Sequence, residues 1–227
     1  THVHTAEVRD VPASIVEHAM QEFKPDLIVM CAHGRSGFRD LIFGNIAQQV
    51  LAGGRTPVWL LQPQSAGAAP AQIRRILVPL DSESVHDDSL PFAEKLAKAF
   101  DAELHLLTVI PTFGTLTGEQ AAASSMLPAT TTAYLEIREE TAKEHLQTHL
   151  DELLDGGLKV TAEIARGDPA AVIVKTGERI QADVILLSTH RRAGIGAFWA
   201  RSVAPNVVRQ TRMSLLLLPH EEPAGSA

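Results

Sequence analysis

The chain has 227 residues, of which 45% are hydrophobic, and this apolar content suffices for the buried core of one large or two small domains. Its formal net charge of −7 argues against a protein that binds nucleic acid or an anionic membrane, because both usually select a basic surface. Cys31 is the single cysteine, so an intrachain disulfide is excluded, and such low cysteine usage is typical of a reducing compartment. The apolar runs are shorter than a membrane helix. We therefore expect a cytoplasmic protein.

The first 62 residues predict part of an α/β unit. Apolar runs indicate strands, and helical spacing indicates helices between them. The strands are expected at 3–8, 27–32 and 58–61, and the helices at 13–23 and 45–53. Residues 63–71, which are rich in Ala, Gly and Pro, have the composition of a linker. We therefore expect an incomplete domain over 1–62, followed by a boundary.

Residues 72–220 predict a complete α/β domain, and residues 221–227 predict a short tail. Strands are expected at 73–79, 103–109, 159–165, 184–188 and 215–218, helices at 87–100, 131–154, 168–180 and 202–210, and a loop at 111–128. Asp168 and Pro169 open the third of these helices as an N-cap and a first-turn proline do. Uniformly apolar strands that alternate with helices indicate a doubly wound parallel sheet of five strands, covered on both faces.

The chain repeats itself at an offset of 157 residues. Val11-Pro12-Ala13 aligns with Asp168-Pro169-Ala170, and Ala32-His33 aligns with Thr189-His190. The same offset continues into the last strand of each half, so the two halves are copies of one unit. The first copy lacks two strands and two helices, which leaves the strand at 3–8 without its neighbours. We therefore expect a longer native protein, or another chain that supplies the missing strands.

Two segments resemble the universal stress protein family. Residues 27–47 read LIVMCAHGRSGFRDLIFGNIA, which resembles the family signature, and residues 76–82 read ILVPLDS, which resembles its first strand. The resemblance covers nearly the whole chain and implies a tandem universal stress protein with a truncated first copy. It implies a Rossmann-like α/β fold of the adenine nucleotide alpha hydrolase type, with strand order 3-2-1-4-5. It also implies a stress-response protein that binds or senses ATP and acts through domain pairing.

In this family a loop of the pattern G-x2-G-x9-G-[ST] wraps the phosphates and ribose of ATP, and an Asp after the first strand meets the adenine. Glycines let backbone amides approach phosphate oxygens, and the following helix N-terminus adds partial positive charge. In the first copy the pattern falls on Cys31, Gly34, Gly44 and Asn45, with Arg35, Ser36 and Gly37 beside them as anion-compatible neighbours. In the second copy it falls on Ser188, Arg191, Arg201 and Ser202, and the Asp position is Asp81. The first copy thus keeps more of the phosphate loop, whereas the second keeps the Asp and carries arginines in the loop.

The resemblance also implies how the two copies associate. In the family the final strands of two domains pair antiparallel about a two-fold axis, and an uncovered apolar edge strand favours such pairing on physical grounds. We therefore expect Val58–Leu61 to pair, within one chain, with the run that begins at Leu215 and ends at Leu218. A homodimer is a further expectation.

Several alternative interpretations stay open. The loop at 34–44 is equally consistent with a plain strand-to-helix turn, and Asp81 with a turn or cap residue. Arg191 and Arg201 are consistent with side-chain forks on phosphate or with a loop that fills the pocket itself. The alternative function is a scaffold of the family's non-nucleotide subgroup, which acts by protein association.

Other residue pairs suggest further chemistry less strongly. His145 and His149 have the i, i+4 spacing of metal ligands, but no third ligand is identifiable. Cys31 at a strand end is more typical of a small buried hydrophobe than of a redox switch. Ser36 with His33, and Ser188 with His190, lack a third partner, so we expect no enzyme.

Overall fold

The structure, a computed structural model, describes residues 10–31, 45–61, 72–81, 89–116, 118–191 and 203–221. Some of the sequence-based expectations therefore lie outside the described residues. They are the strand at 3–8, the linker, and the loop residues Gly34, Arg35, Ser36, Gly37, Gly44, Arg201 and Ser202.

Strands and helices alternate along the described residues, as the sequence predicts. The strands are β1 (Ile28–Cys31), β2 (Val58–Leu61), β3 (Arg75–Leu80), β4 (Glu103–Ile110), β5 (Val160–Arg166), β6 (Val184–Arg191) and β7 (Ser214–Glu221). The helices are α1 (Val11–Glu17), which continues as a π-helical turn (His18–Phe23), α2 (Asn45–Gly53), α3 (Ser89–Phe100), α4 (Gly118–Met126), α5 (Pro128–Asp155), α6 (Pro169–Ile180) and α7 (Ala204–Gln210). No helix among the described residues has the length and apolar character needed to cross a membrane.

The described strands form one sheet in the order β1-β2-β7-β6-β3-β4-β5. The five strands of the second copy lie in the order β5-β4-β3-β6-β7, which confirms the expected 3-2-1-4-5 arrangement of a Rossmann-like α/β fold. The four pairs of neighbouring strands within this set are all parallel. The sheet does not stop at five strands, however, because the two strands of the first copy extend it to seven.

The two copies meet where β2 pairs antiparallel with β7. Val58 faces Leu217, Trp59 faces Leu216, and Leu60 faces Leu215 in this ladder. Both strands are apolar, and each would be an exposed edge without the other. The expected pairing of the two final strands within one chain is therefore confirmed.

Helices cover the sheet unequally on its two faces. One face packs against helices of both copies, α1, α2, α6 and α7, in a core that runs across the β2–β7 junction. The other face packs against α3 and α5, which both belong to the second copy. The first core therefore joins the copies, whereas the second belongs mainly to residues 72–219.

An aspartate caps the corresponding helix in each copy, although the two aspartates lie one position apart in the repeat. The Asp168 carboxylate accepts a hydrogen bond from the Ala171 amide at 2.9 Å, and Pro169 follows as the first helical residue. The Asp10 carboxylate accepts from the Ala13 amide at 3.1 Å at the start of α1. Each cap satisfies one of the amides that a helix N-terminus leaves unpaired.

Several boundaries differ from the sequence-based expectation. The loop expected at 111–128 contains a 3₁₀ turn (Phe113–Thr115) and helix α4, because its alanines favour a helix. Strand β6 was expected to end at Ser188 but continues to Arg191, because its ladder with β7 extends to the Arg191 and Glu221 pair. Arg191 therefore ends a strand instead of lying inside a loop.

Candidate functional site

A cavity of about 290 Å³ lies at the carboxyl ends of β3, β4 and β6. The order of the strands reverses between β3 and β6, so the connections from these neighbours run to opposite sides of the sheet. Open α/β sheets bind ligands at this kind of switch point. The residues that line the cavity are Pro79, Leu80, Asp81, Leu107, Val109, Pro111, Arg138, Pro169, Ile173, Leu187, Ser188, Val203 and Ala204.

Two of the residues that the sequence singled out, Asp81 and Ser188, line this cavity together. Asp81 follows β3 directly, and Ser188 lies in β6, the parallel neighbour of β3. The pairing of these two strands thus brings together residues from distant parts of the chain. A carboxylate and a hydroxyl among apolar walls form the pattern of a pocket in which a few polar groups orient a ligand.

Ser188 carries a buried hydroxyl that has no hydrogen-bond partner in the described part of the chain. Among the described residues two other buried side-chain atoms share this property, Trp59 Nε1 and His105 Nε2, and neither residue lines the cavity. The next residue, Thr189, differs, because its hydroxyl donates to the Leu218 carbonyl at 3.1 Å. An unsatisfied buried polar group costs about 1–3 kcal/mol, so a ligand or a water molecule that bonds to Ser188 Oγ would be stabilised by it.

The Asp81 carboxylate faces an arginine that the sequence analysis did not identify. Arg138 Nη2 of α5 lies 3.8 Å from Asp81 Oδ1. The guanidinium also lies over the Tyr134 ring, with its carbon 5.8 Å from the ring centroid. The i, i+4 spacing of Tyr134 and Arg138 places the two side chains next to each other on one helix face, and this was the available signal. The spacing alone does not show which face of a long helix meets the cavity.

The next residue of α5, Glu139, belongs to a separate ion-pair cluster. Arg166 of β5 donates to Glu139, and Lys143 lies 3.6 Å from the same carboxylate. The hydrogen bond from Arg166 lowers the pKa of Glu139, and Lys143 adds to this effect. The hydrogen bond to Glu140 raises the pKa of Lys143. None of these four residues lines the cavity.

The first copy offers less of a site among the described residues. Asn45 is the first residue of α2, and its side chain lies outside the description, so its role as a helix cap stays a prediction. Cys31 ends β1 and is exposed, so the interpretation of Cys31 as a buried hydrophobe is wrong. The reason is that Cys31 lies on the sheet face that the described helices of the first copy do not cover.

A larger hollow of about 620 Å³ lies between α1 and α2. Residues of these helices and the adjoining π-helical turn line it, together with Asp10, and no strand contributes. The Asp10 carboxylate already accepts the Ala13 amide. The hollow is therefore a groove between helices away from the strand ends at which the sequence predicts a ligand.

His145 and His149 lie on α5 with their ring centroids 6.1 Å apart. His149 Nδ1 is 3.5 Å from Glu152 of the same helix. Across the described residues, no group of three or more His, Cys, Asp or Glu side chains is arranged to hold a metal ion.

A sequence model of the universal stress protein family matches residues 1–62 and 72–219. A universal stress protein of Methanocaldococcus jannaschii is 27% identical over 145 residues, which are 64% of this chain and 81% of that protein.

Solved structures agree in fold. A universal stress protein from Archaeoglobus fulgidus DSM 4304 superposes with a TM-score of 0.64 at 19% identity, over 92% of this chain and 65% of that one. The universal stress protein UspA from Lactobacillus plantarum superposes with a TM-score of 0.52 at 19% identity, over 66% of this chain and 99% of that one. The chain thus spans slightly less than two thirds of the Archaeoglobus protein.

Proposed function

Because the chain belongs to the universal stress protein family, we propose that it is a stress-response protein that binds or senses an adenine nucleotide, ATP, at the cavity beside Asp81. The observation that carries this proposal is that Asp81 and Ser188, whose hydroxyl has no partner among the described residues, line one largely apolar cavity at the switch point of the sheet. No enzymatic step is part of the proposal, and we place the protein in the cytoplasm.

The proposal assigns each part of the nucleotide to a different part of the site. The volume of about 290 Å³ lies near the lower limit of ligand pockets, which span roughly 300–1,000 Å³, and it suits the nucleoside better than the whole nucleotide. Asp81 would accept hydrogen bonds from the adenine amino group or ribose. The phosphates would extend towards Arg191, Arg201 and Ser202, where arginine forks would replace glycine amides.

The same proposal gives the first copy a secondary role. Its loop residues would contribute a phosphate-binding turn without an adenine-binding carboxylate in residues 1–62. They are Gly34, Arg35, Ser36, Gly37, Gly44 and Asn45. The signal would pass between copies through β7, because β7 pairs with β6, which carries Ser188, and also with β2 of the first copy.

A second candidate is a scaffold that acts by protein association, including as a homodimer. The observation that favours it is the contact of Arg138 with Asp81, since a cavity whose carboxylate already meets an arginine is less available to a ligand. The two candidates differ in whether purified protein retains or binds ATP.

The test is nucleotide release followed by titration. Purified protein is denatured and the released small molecules are analysed by mass spectrometry, and ATP is then titrated into nucleotide-free protein by calorimetry. At 100 times its dissociation constant ATP should add about 2.7 kcal/mol to the stability of the fold. Asp81→Ala should weaken binding, whereas Asp155→Ala, an exposed aspartate at the end of α5, should not. Absence of both released nucleotide and any ATP-induced shift in Tm would leave the scaffold as the function.

A further inference from the structure

We propose that Arg138 gates the cavity by competing with the ligand for the Asp81 carboxylate. The proposal rests on the proposed function and concerns the regulation of the same site. It is carried by the position of one guanidinium between two partners, an acidic one in the cavity and an aromatic one beside it.

The first partner is Asp81. The 3.8 Å separation between Arg138 Nη2 and Asp81 Oδ1 brings opposite charges into ion-pair range at the wall of the cavity. The Arg138 side chain is 21% exposed and the Asp81 side chain 48% exposed, so the arginine is the more enclosed member. The guanidinium therefore takes up part of the space from which the donor groups of a ligand would reach Asp81 Oδ1.

The second partner is Tyr134, one turn earlier on α5. The guanidinium carbon is 5.8 Å from its ring centroid, within the range of a cation–π contact. Arginine keeps its charge in both environments, and its planar group stacks well on an aromatic ring. The side chain can thus leave Asp81 and retain a favourable contact with Tyr134.

The chemistry of the ligand determines whether Arg138 weakens or strengthens its binding. The adenine amino group and the ribose hydroxyls are hydrogen-bond donors, and they require the same carboxylate oxygens that Arg138 faces. Removal of the guanidinium should therefore strengthen the binding of a neutral nucleoside. A residue that instead assists binding would have the opposite effect when removed.

A matched control is an arginine that pairs with the same helix. Glu139 of α5 pairs with Arg166, and neither lines the cavity. Arg166→Met removes an arginine from a carboxylate pair beside Arg138 without changing the cavity wall. A difference in adenosine affinity between Arg138→Met and Arg166→Met is therefore caused by the change in the cavity and not by the loss of a positive charge from this part of the surface.

The experiment is calorimetric titration with adenosine, which has no phosphates, at low and at high NaCl. Arg138→Met should bind adenosine about two to five times more tightly than the wild type, the range that corresponds to an exposed or partly exposed ion pair. Arg166→Met should equal the wild type. High salt should strengthen adenosine binding to the wild type by screening the pair and should have little effect on Arg138→Met.

Arg138→Lys keeps a cation at the site, so its affinity should stay near that of the wild type, and circular dichroism shows whether each variant is folded. Equal or weaker adenosine binding by folded Arg138→Met, with binding by the wild type intact, would overturn the gate and leave the proposed function standing. Failure of wild type and Arg138→Met alike to bind adenosine or ATP would overturn both.

Discussion

Val29 and Leu186 occupy equivalent positions of the internal repeat, yet Val29 is 55% exposed whereas Leu186 is fully buried. Leu186 belongs to a core with Leu90 and Ala93 of α3, a helix that covers this face of the second copy. The described part of the first copy has no helix in the corresponding place. Equivalent residues of the two copies therefore contribute differently to stability.

This difference gives a direct comparison of two substitutions. Leu186→Ala should lower the free energy of unfolding by about 2–5 kcal/mol, because it removes buried methyl groups and leaves a cavity. Val29→Ala should lower it by less than about 1 kcal/mol, since much of its side chain already contacts solvent. Urea unfolding of the two variants measures the difference. Equal losses would show that the face beside β1 is covered in solution.

The β2–β7 junction can be tested by one charge on each face of β2. Leu60 is 1% exposed and faces Leu215, whereas Leu61 is 37% exposed. Leu60→Asp should lower the free energy of unfolding by more than about 3 kcal/mol, because it buries an unpaired carboxylate. Leu61→Asp, on the same strand, should cost much less. Amide hydrogen exchange should show the loss of protection in β2 and β7 first, and unchanged protection there in Leu60→Asp would contradict the junction.

Ser188→Ala should have opposite effects on stability and on binding. Without ligand, the substitution removes a buried hydroxyl that has no partner, so the free energy of unfolding should stay unchanged or rise by up to about 1 kcal/mol. The affinity for ATP should fall, because the hydroxyl is then absent from the cavity. Thermal unfolding and calorimetry measure the two quantities. A loss of stability without ligand would show that Ser188 Oγ bonds to the protein itself.

Glu139 gives a prediction for the pH dependence of stability. Its pKa is lowered from the usual 4.5, chiefly by the hydrogen bond from Arg166, so the folded state binds this proton less readily than the unfolded state. The stabilisation is therefore present above pH 4.5 and is lost as the pH falls through the lowered pKa. Glu139→Gln should be less stable than the wild type near neutral pH, and the two should converge in acid. Urea unfolding at a series of pH values measures the difference in the free energy of unfolding between Glu139→Gln and the wild type. A difference that does not change with pH would exclude the ion pair as its cause.

Local features of the fold were predictable from the sequence. The cap formed by Asp168 and the alternation of strands and helices agree with the structure, and so does the strand order of the second copy, which the family resemblance implied. Helix α4 and the extension of β6 were missed, because alanine propensity and ladder pairing outweighed the loop signals. In the site, Asp81 and Ser188 were predicted and do line one cavity, whereas Arg138 was not.

The sequence by itself determined that this chain is a repeated α/β unit with apolar final strands and an Asp after the first complete strand, because periodicity, capping and internal similarity are local properties of the chain. Only the tertiary structure decided that the copies share one sheet, that Val29 stays exposed where Leu186 is buried, and that Arg138 meets Asp81. These features depend on which surfaces meet after the chain has folded. The direction in which a helix such as α5 presents each side chain to a distant strand end is set by packing and not by the order of residues.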